Sequence, residues 1–363
     1  MKKISAKKWM KIYLCFQGGL LGIIATIVIM LDPFFHYHKP LKSFYYTLDS
    51  LIQVYLNDGI VKQFDYDAII TGTSMTENFR TTEVDEIFSV NSIKVPFSGG
   101  CFKEINDNLE RALNYNPNIE VIIRGLDGEK FFDNKDTMRV PAKNYPSYLY
   151  NEVIFDDVKY IFNRDVIFNR CWSMIEAKLE GQEGGITSFD NYSRWMDMFK
   201  YRFTKEDVLG ERKGYQQSQK ILELTEEDRE NIQGNIFENV IRTAEEHPAT
   251  DFYYFIPPYS IAWWGELKEN GNILRQLEAE KMVIKMILEC DNIKLFSFNN
   301  CYEITTNLNN YKDLTHYSEE ISSFILNCMM NGNFQLTKEN YMQYLQKEKE
   351  FYYNFDYNGL FEN

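Results

Sequence analysis

The chain has few of the residues that build metal and redox sites. Its 363 residues include 4 histidines and 6 cysteines, with no Cys-x-x-Cys spacing and no clustered Cys/His pattern. It has neither a Gly-x-Gly-x-x-Gly motif nor a P-loop. We therefore expect no metal and no cofactor, and we interpret the cysteines as buried free thiols. His36 and His38 could in principle bind a metal as a pair, but no third ligand is near them in the sequence, and we interpret them as structural.

The chain also lacks an excess of positive charge. It carries 53 acidic against 39 basic residues, a formal net charge of -14 at pH 7. Such a chain does not attract phosphate backbones through its bulk charge, so nucleic acid is not an expected partner. With 44% hydrophobic and 16% aromatic residues it can build a sizeable core, in one large domain or two smaller ones.

One long apolar run is present, at residues 12–31, and its length of about 20 residues matches the hydrocarbon thickness of a bilayer. Five lysines precede it: Lys2, Lys3, Lys7, Lys8 and Lys11. Lysines before the run and Asp32 after it predict a cytoplasmic N-terminus. We interpret residues 1–31 as a cytoplasmic leader with an uncleaved single-pass anchor, which makes the rest of the chain extracytoplasmic. A cleaved signal peptide and a buried core helix are the alternatives, but no small-x-small site follows the run.

The remaining residues divide into three parts by composition. Residues 32–66 are predicted to be a juxtamembrane segment that begins in an extended conformation, because two prolines lie near its start. Residues 67–335 carry alternating strand and helix patterns, interrupted at about 129–221 by an aromatic and charged insertion that we expect to be mostly helical. Residues 336–363 are interpreted as a C-terminal tail.

Short apolar runs with helical patterns between them predict a parallel α/β sheet. The predicted strands are residues 68–70, 93–97, 121–123, 252–256 and 293–296. The predicted helices include residues 81–88, 105–113, 153–179, 266–288 and 318–329.

Chemically useful residues follow three of these strands, where open α/β sheets bind ligands. Ser74 comes just after the first strand, and its hydroxyl could act as a nucleophile. The backbone N–H groups of Ser74 and of Gly99 or Gly100 could stabilise an oxyanion. Asp313 could orient the imidazole of His316, whose other nitrogen would reach the serine. Each piece is common in ordinary turns, but the order and placement together predict a catalytic triad.

These blocks resemble those of the SGNH/GDSL hydrolases. Gly72-Thr73-Ser74 matches the Gly-Asp-Ser nucleophile block, with threonine in place of aspartate. The glycines at 99 and 100 match the second block, and Asp313-Leu314-Thr315-His316 matches the Asp-x-x-His block. The resemblance covers roughly residues 67–128 and 251–331. It implies a flavodoxin-like, three-layer α/β/α fold and acyl transfer through a serine ester.

The third block of that superfamily, Gly-x-Asn-Asp, departs from its pattern here. The chain reads Gly125-Leu126-Asp127-Gly128, so an aspartate stands where the family has an oxyanion-binding asparagine. An ionised Asp127 would repel a developing oxyanion.

The anchor, the altered block and the insertion resemble membrane-anchored bacterial members that work beside membrane-bound O-acyltransferases. Those relatives include the D-alanyl transfer protein of lipoteichoic acid synthesis and the acetyltransferases of exopolysaccharide export. The resemblance implies acyl transfer or ester hydrolysis on a cell-envelope glycan or teichoic acid, with Asp127 and Tyr259 as candidate substrate-binding residues. The alternative is a catalytically silent accessory protein that binds the O-acyltransferase.

Overall fold

The computed structural model describes residues 5–141, 144–197, 200–216, 218 and 220–362. They form two compact units, one of Met1–Phe64 with Asn144–Thr187 and the other of Asp65–Lys143 with Ser188–Asn363. The segment interpreted as one insertion, residues 129–221, is therefore divided between the units. The part from 144 to 187 joins the smaller unit because it contributes a strand to that unit's sheet.

The strands, numbered along the chain, are β1 Tyr45–Tyr46, β2 Ala68–Gly72, β3 Ser92–Pro96, β4 Val121–Gly125, β5 Gly185–Ile186, β6 Asp251–Ile256 and β7 Ile293–Ser297.

The α-helices are α1 Ala6–Leu31, α2 Gln53–Gln63, α3 Thr81–Phe88, α4 Phe102–Tyr115, α5 Val158–Ile161, α6 Trp172–Leu179, α7 Lys205–Leu209, α8 Glu226–Ile236, α9 Arg242–Glu246, α10 Ile261–Glu269, α11 Ile273–Ile287, α12 Tyr302–Thr305, α13 Glu319–Asn331 and α14 Tyr341–Asn354. The π-helical stretches are Val166–Cys171 and Phe237–Ile241. The 3₁₀ turns are Ser50–Ile52, Ser74–Thr76, Gly128–Lys130, Ser147–Leu149, Ile154–Asp156, Trp195–Asp197, Leu308–Asn310 and Asn358–Phe361.

The larger unit is built on a parallel sheet with the order β3-β2-β4-β6-β7. Counting only these five strands along the chain, the order is 2-1-3-4-5. All residues of β2, β3 and β4 are buried, so helices and loops cover both faces of the sheet, as is usual for parallel sheets. The predicted α/β class with a parallel sheet is confirmed.

Two buried cations in this sheet bind backbone carbonyls of the covering segments. Lys94 of β3 donates to the carbonyls of Glu77 and Phe79, at 2.6 and 2.9 Å, and so fixes the loop that follows Ser74. Burial lowers the pKa of Lys94 to about 7, although nearby carboxylates oppose that shift. Arg124 of β4 donates to the carbonyl of Asn239 at 2.8 Å. These bonds satisfy polar groups that would be costly to bury unpaired.

The prediction of one helix at residues 266–288 is wrong, because the chain forms two helices there, α10 and α11. The break falls at Gly271, whose φ of +75° favours glycine. A Cβ at this position would lie 2.1 Å from the carbonyl oxygen of Lys220, so the backbone approaches too closely for a side chain.

The segment interpreted as a C-terminal tail, residues 336–363, belongs to the larger unit and contains α14. Its helix α14 packs against α10 and α11. Tyr352 of α14 stacks on Trp264 with ring centroids 4.1 Å apart, and its hydroxyl donates to the carbonyl of Asn299 at 2.5 Å.

The smaller unit contains α1, which by its length and composition is apolar enough to cross a membrane. The segment that follows α1 is not extended as predicted. It turns around Asp32, whose carboxylate accepts the N–H groups of His36, Tyr37 and His38 at 2.7–3.0 Å. The helix predicted at residues 153–179 is also interrupted: a 3₁₀ turn, α5, a π-helical stretch and α6 share that segment.

Cysteine burial differs in part from the expectation. All six cysteines are free, and four are buried, but Cys15 is exposed on α1 and Cys301 is half-buried.

Candidate active site

The end of β2 presents Ser74 at the start of a short helical turn. Gly72 has a φ of +144°, and a Cβ there would lie 2.8 Å from the Thr76 side chain, so this position requires glycine. Thr73 then caps the turn Ser74–Thr76, because its hydroxyl accepts the N–H of Met75 at 3.3 Å. The chain therefore bends sharply after the strand and leaves Ser74 half-buried.

The structure brings Ser74, His316 and Asp313 into one hydrogen-bonded series. Ser74 Oγ lies 2.8 Å from His316 Nε2. On the other side of the ring, Nδ1 lies 2.9 Å from Asp313 Oδ1 and 2.8 Å from Oδ2. These distances are within hydrogen-bond reach for a base and a nucleophile. Ser74 and His316 are 242 residues apart in the sequence, so the contact arises from the fold.

Asp313 is suited to orient the histidine. Its Oδ1 accepts the N–H groups of Thr315 at 3.0 Å and of His316 at 2.8 Å, which fixes the carboxylate within its own turn. Burial alone would raise the pKa of Asp313, but hydrogen bonds from His316, attraction to that ring and the backbone N–H groups lower it to about 2. The carboxylate is therefore ionised at neutral pH and favours a proton on Nδ1.

Neighbouring tyrosines hold the loop of Asp313 and His316 against the other site loops. Tyr317 is buried, and its hydroxyl donates to the carbonyl of Met75, next to the nucleophile, at 3.0 Å. Tyr311, also buried, donates to the carbonyl of Pro258 at 2.7 Å. The two tyrosines face each other across an isolated β-bridge. These contacts fix the base relative to the serine.

The glycines predicted for the oxyanion site differ in their available hydrogen bonds. The N–H of Gly100 donates to the carbonyl of Phe97 at 2.7 Å, so it closes a turn and is not free to bind an oxyanion. Gly99 has a φ of +62°, the left-handed conformation that favours glycine. A Cβ on Gly99 would lie 3.5 Å from the guanidinium of Arg139. Gly99 is therefore the better candidate to act with the N–H of Ser74.

Asp127 does not point at Ser74. Its Oδ2 accepts the hydroxyl of Thr73 at 2.8 Å and its Oδ1 accepts the hydroxyl of Tyr259 at 2.6 Å. Burial raises the pKa of Asp127, and the two hydroxyl donors oppose that shift. Asp127 and Tyr259 are each 4% exposed, which leaves little of either side chain to reach a substrate. Asp127 and Tyr259 thus support the turn of Thr73, and their role as substrate-binding residues stays a prediction.

Sequence reasoning missed an aromatic and cationic cluster beside the histidine. Trp195 donates from Nε1 to the carbonyl of Ser74 at 3.3 Å, and its ring meets the His316 ring edge to face at 5.8 Å. The ammonium of Lys312 lies 4.0 Å from the centre of the Trp195 ring and 4.3 Å from that of Tyr201, as in cation–π pairs. Burial lowers the pKa of Lys312, and the nearby carboxylate of Asp313 opposes that shift. Only the position of Lys312 beside Asp313 could have suggested this cluster.

The rings of the two early histidines contact a carboxylate and backbone carbonyls of the same unit. His36 Nε2 lies 3.0 Å from Asp157 Oδ1, and the His38 ring nitrogens face the carbonyls of Lys39 and Ile29 at 2.7 and 3.0 Å. Within the described ranges, no group of three or more His, Cys, Asp or Glu side chains is arranged to hold a metal ion.

No family model matches the chain, and no curated protein matches it significantly. The resemblance to the SGNH/GDSL hydrolases therefore remains a prediction from the motifs.

Proposed function

We propose that this protein is a membrane-anchored, extracytoplasmic serine esterase or O-acyltransferase of the SGNH/GDSL type. The observation that carries the proposal is the hydrogen-bonded series from Ser74 Oγ through the His316 ring to Asp313, with contacts of 2.8 Å on either side of the imidazole. A nucleophile, a base and a group that orients the base are the parts that acyl transfer through a serine ester needs.

The strand order and the position of the site support the family assignment. The order 2-1-3-4-5 is that of flavodoxin-like doubly wound sheets, and the sheet is covered on both faces. Ser74 follows β2, the first strand of the sheet along the chain, while Asp313 and His316 follow β7, the last. Both loops lie beyond the carboxyl ends of their strands, where open α/β sheets bind ligands.

The proposed reaction has two steps. Ser74 Oγ attacks the carbonyl carbon of an ester while its proton moves to His316 Nε2, and the N–H groups of Ser74 and Gly99 stabilise the oxyanion. The ester C–O bond then breaks, the departing alkoxide takes the proton from His316, and the acyl group remains on Ser74. In the second step an acceptor hydroxyl attacks the acyl-serine, its proton passes to His316, and Ser74 leaves and takes that proton. Throughout, Asp313 stays ionised and stabilises the imidazolium.

Water as acceptor makes the protein an esterase, and a hydroxyl of a cell-envelope glycan or teichoic acid makes it a transferase.

A test uses the full chain in detergent with an aryl acetate, measuring phenol release and the mass of the protein. The proposal predicts phenol release and a transient acetyl group on Ser74, both lost in Ser74→Ala and both kept in Ser173→Ala. Ser173 is a suitable control because it is exposed on α6 and its hydroxyl bonds only locally, to the carbonyl of Asn169. Equal release by wild type and Ser74→Ala would contradict the proposal.

A second candidate function is a catalytically silent partner of a membrane-bound O-acyltransferase. It is favoured by Asp127, because the superfamily has an oxyanion-binding asparagine at this position and here a carboxyl group bonds to Thr73 and Tyr259. The test is Asp127→Asn. If the wild-type chain is inactive and the asparagine variant hydrolyses the aryl ester, the missing amide explains the silence. An active wild type excludes this candidate.

The proposed location rests on α1 and on the five lysines before its apolar run. Lysines on the cytoplasmic side predict that the C-terminus lies outside the cytoplasm. A reporter that is active only outside the cytoplasm, fused after Asn363, should therefore be active. Activity only of a cytoplasmic reporter at this position would contradict the orientation.

A further inference from the structure

The smaller unit exposes an unusual number of large apolar side chains between residues 153 and 179. We call them the apolar surface: Val153, Ile154, Phe155, Val158, Phe162, Phe168, Trp172 and Leu179. Ile154 is 81% exposed, Phe155 93% and Leu179 80%. Scattered exposed apolar residues are normal, but eight within 27 residues, four of them aromatic, indicate a surface that is covered by something.

The folding of the smaller unit does not explain this exposure. The same segment already buries a separate set of side chains, Tyr160, Val166, Cys171 and Met174. The exposed side chains are spread over consecutive short elements: Phe155 lies in the turn Ile154–Asp156, Val158 in α5, Phe168 in the stretch Val166–Cys171 and Trp172 in α6. The segment therefore exposes large apolar side chains in addition to those that it packs into its own core.

The apolar surface is tied to the end of the apolar helix α1. Both α5 and the stretch Val166–Cys171 contact α1. Immediately after α1, Asp32 Oδ1 accepts the hydroxyl of Tyr160 at 2.8 Å, and the same hydroxyl accepts the N–H of Phe34 at 3.3 Å.

Asp157, one residue before α5, strengthens this connection. Its Oδ1 lies 3.0 Å from His36 Nε2, and its Oδ2 accepts the hydroxyl of Tyr37 at 3.1 Å. Asp157 is buried, so its two bonds are shielded from water. The apolar surface is thus held next to the residue at which α1 ends.

We propose that the apolar surface lies in the interfacial layer of the same bilayer that α1 spans, where its aromatic side chains contact phospholipid acyl chains and headgroups. Phe and Trp are favoured at this depth. Continuity with α1 favours lipid as the occupant, because the side chains of α1 are themselves exposed along most of their length and need the same cover. The exposed cationic side chains of Lys159 and Arg164 can extend toward the headgroups while their neighbours stay in the apolar layer. This inference depends on the proposed anchorage but not on the acyl transfer chemistry.

The test places an NBD dye on single exposed cysteines of the full chain in phosphatidylcholine/phosphatidylglycerol nanodiscs. Cys15, exposed on α1, is the native membrane site, and the other variants carry Cys15→Ser with Phe155→Cys or Met342→Cys. Phe155 is almost fully exposed, so its replacement removes few contacts within the unit. Met342, an exposed apolar residue of the larger unit, serves as the matched site outside the apolar surface. Each dye is quenched with doxyl-labelled phosphatidylcholine and, separately, with iodide in the water.

The proposal predicts that the dyes at 15 and 155 are quenched by the doxyl lipid and protected from iodide, and that the dye at 342 shows the reverse. Quenching at 15 but not at 155 would overturn the proposal and leave the anchor intact. Protection of 155 from both quenchers would mean that a second copy or another protein covers the surface, which also overturns it. Equal lipid quenching at 155 and 342 would show that lipid contact is not specific to the apolar surface, which also overturns the proposal. Absence of lipid quenching at 15 would instead refute the anchor itself.

Discussion

Replacing Asp313 by asparagine should change which nitrogen of His316 carries the proton while keeping the local turn. In the wild-type chain both carboxylate oxygens lie within 2.9 Å of Nδ1, so the carboxylate requires a proton there and leaves Nε2 free to accept the proton of Ser74. In Asp313→Asn the amide oxygen can still accept the N–H groups of Thr315 and His316. Its NH2 group then faces Nδ1 and favours the tautomer with the proton on Nε2, where it blocks the serine.

The size of the effect follows from this single exchange of tautomer. The corresponding change in a serine protease triad lowers the catalytic rate by about 10⁴-fold, or about 5.4 kcal/mol of activation free energy. We therefore expect a loss of about 10³- to 10⁴-fold in aryl ester hydrolysis by Asp313→Asn. The melting temperature should change little, because the two backbone N–H bonds persist and the side chain of Asp313 is 46% exposed, so water screens its charge.

The matched control is Asp356→Asn. Asp356 also accepts two backbone N–H groups within its own turn, those of Asn358 and Gly359 at 3.2 and 3.3 Å. This variant should keep the wild-type rate. If Asp313→Asn hydrolyses the ester as fast as wild type while melting at the same temperature, Asp313 does not set the tautomer and the reasoning is wrong.

Two further perturbations have defined outcomes. Trp195→Phe keeps a ring against His316 but removes the hydrogen bond to the Ser74 carbonyl. Such a bond is worth about 1 kcal/mol, so kcat should fall about fivefold with little change in KM. An unchanged kcat would show that the bond does not position the serine. Glu280 and Glu348 are both buried. Burial raises the pKa of Glu280 from 4.5 to about 7. Burial also raises the pKa of Glu348 well above its ordinary value, and repulsion from Glu280 adds to that shift. The folded chain therefore binds these protons more tightly than the unfolded chain, so their contribution to stability is complete below pH 4.5 and decreases as the pH rises above it. For Glu280 this loss continues to about pH 7. Thermal melts of Glu348→Gln between pH 5 and 7.5 should show a smaller decrease with pH than wild type, and an equal decrease would contradict this assignment.

The sequence predicted the sheet well because its strands are buried on both faces. Runs such as Ala68-Ile69-Ile70 and Val121-Ile122-Ile123 have no polar alternation, which is typical of parallel strands and difficult to confuse with surface strands. Ser74, Asp313 and His316 were found for a related reason. Ser74 comes just after β2, whereas Asp313 and His316 lie beyond β7, after α12 and the turn Leu308–Asn310. The carboxyl ends of parallel strands define one edge of a sheet, so loops that follow different strands meet there.

The errors in the helical regions have two kinds of cause. The break between α10 and α11 has a local signal, the turn sequence Asn270-Gly271-Asn272. The apolar spacing continues on both sides of this turn, which led to the prediction of one helix. The helix α14 was not predicted from the sequence. Its position depends on tertiary contacts such as Tyr352 with Trp264 and Asn299, which lie more than 50 residues away in the chain.

Long-range pairing also explains what was missed in the region interpreted as an insertion. Residues 144–187 belong to the smaller unit because β5 pairs with β1, about 140 residues earlier, and a two-residue strand leaves no periodicity to detect. Trp195 lies in the same region with no surrounding motif. Only the fold brings its indole N–H to the carbonyl of Ser74.

The most direct test of the central claim is whether Ser74 is an activated nucleophile. A fluorophosphonate probe reacts with an activated serine and not with an ordinary one, so the full wild-type chain should gain one adduct, located on Ser74 by peptide mass spectrometry. Ser74→Ala should lose the adduct and keep its melting temperature, because the half-buried hydroxyl contributes little to the core. A folded wild-type chain that is not labelled, or that is labelled on another residue, would contradict the account.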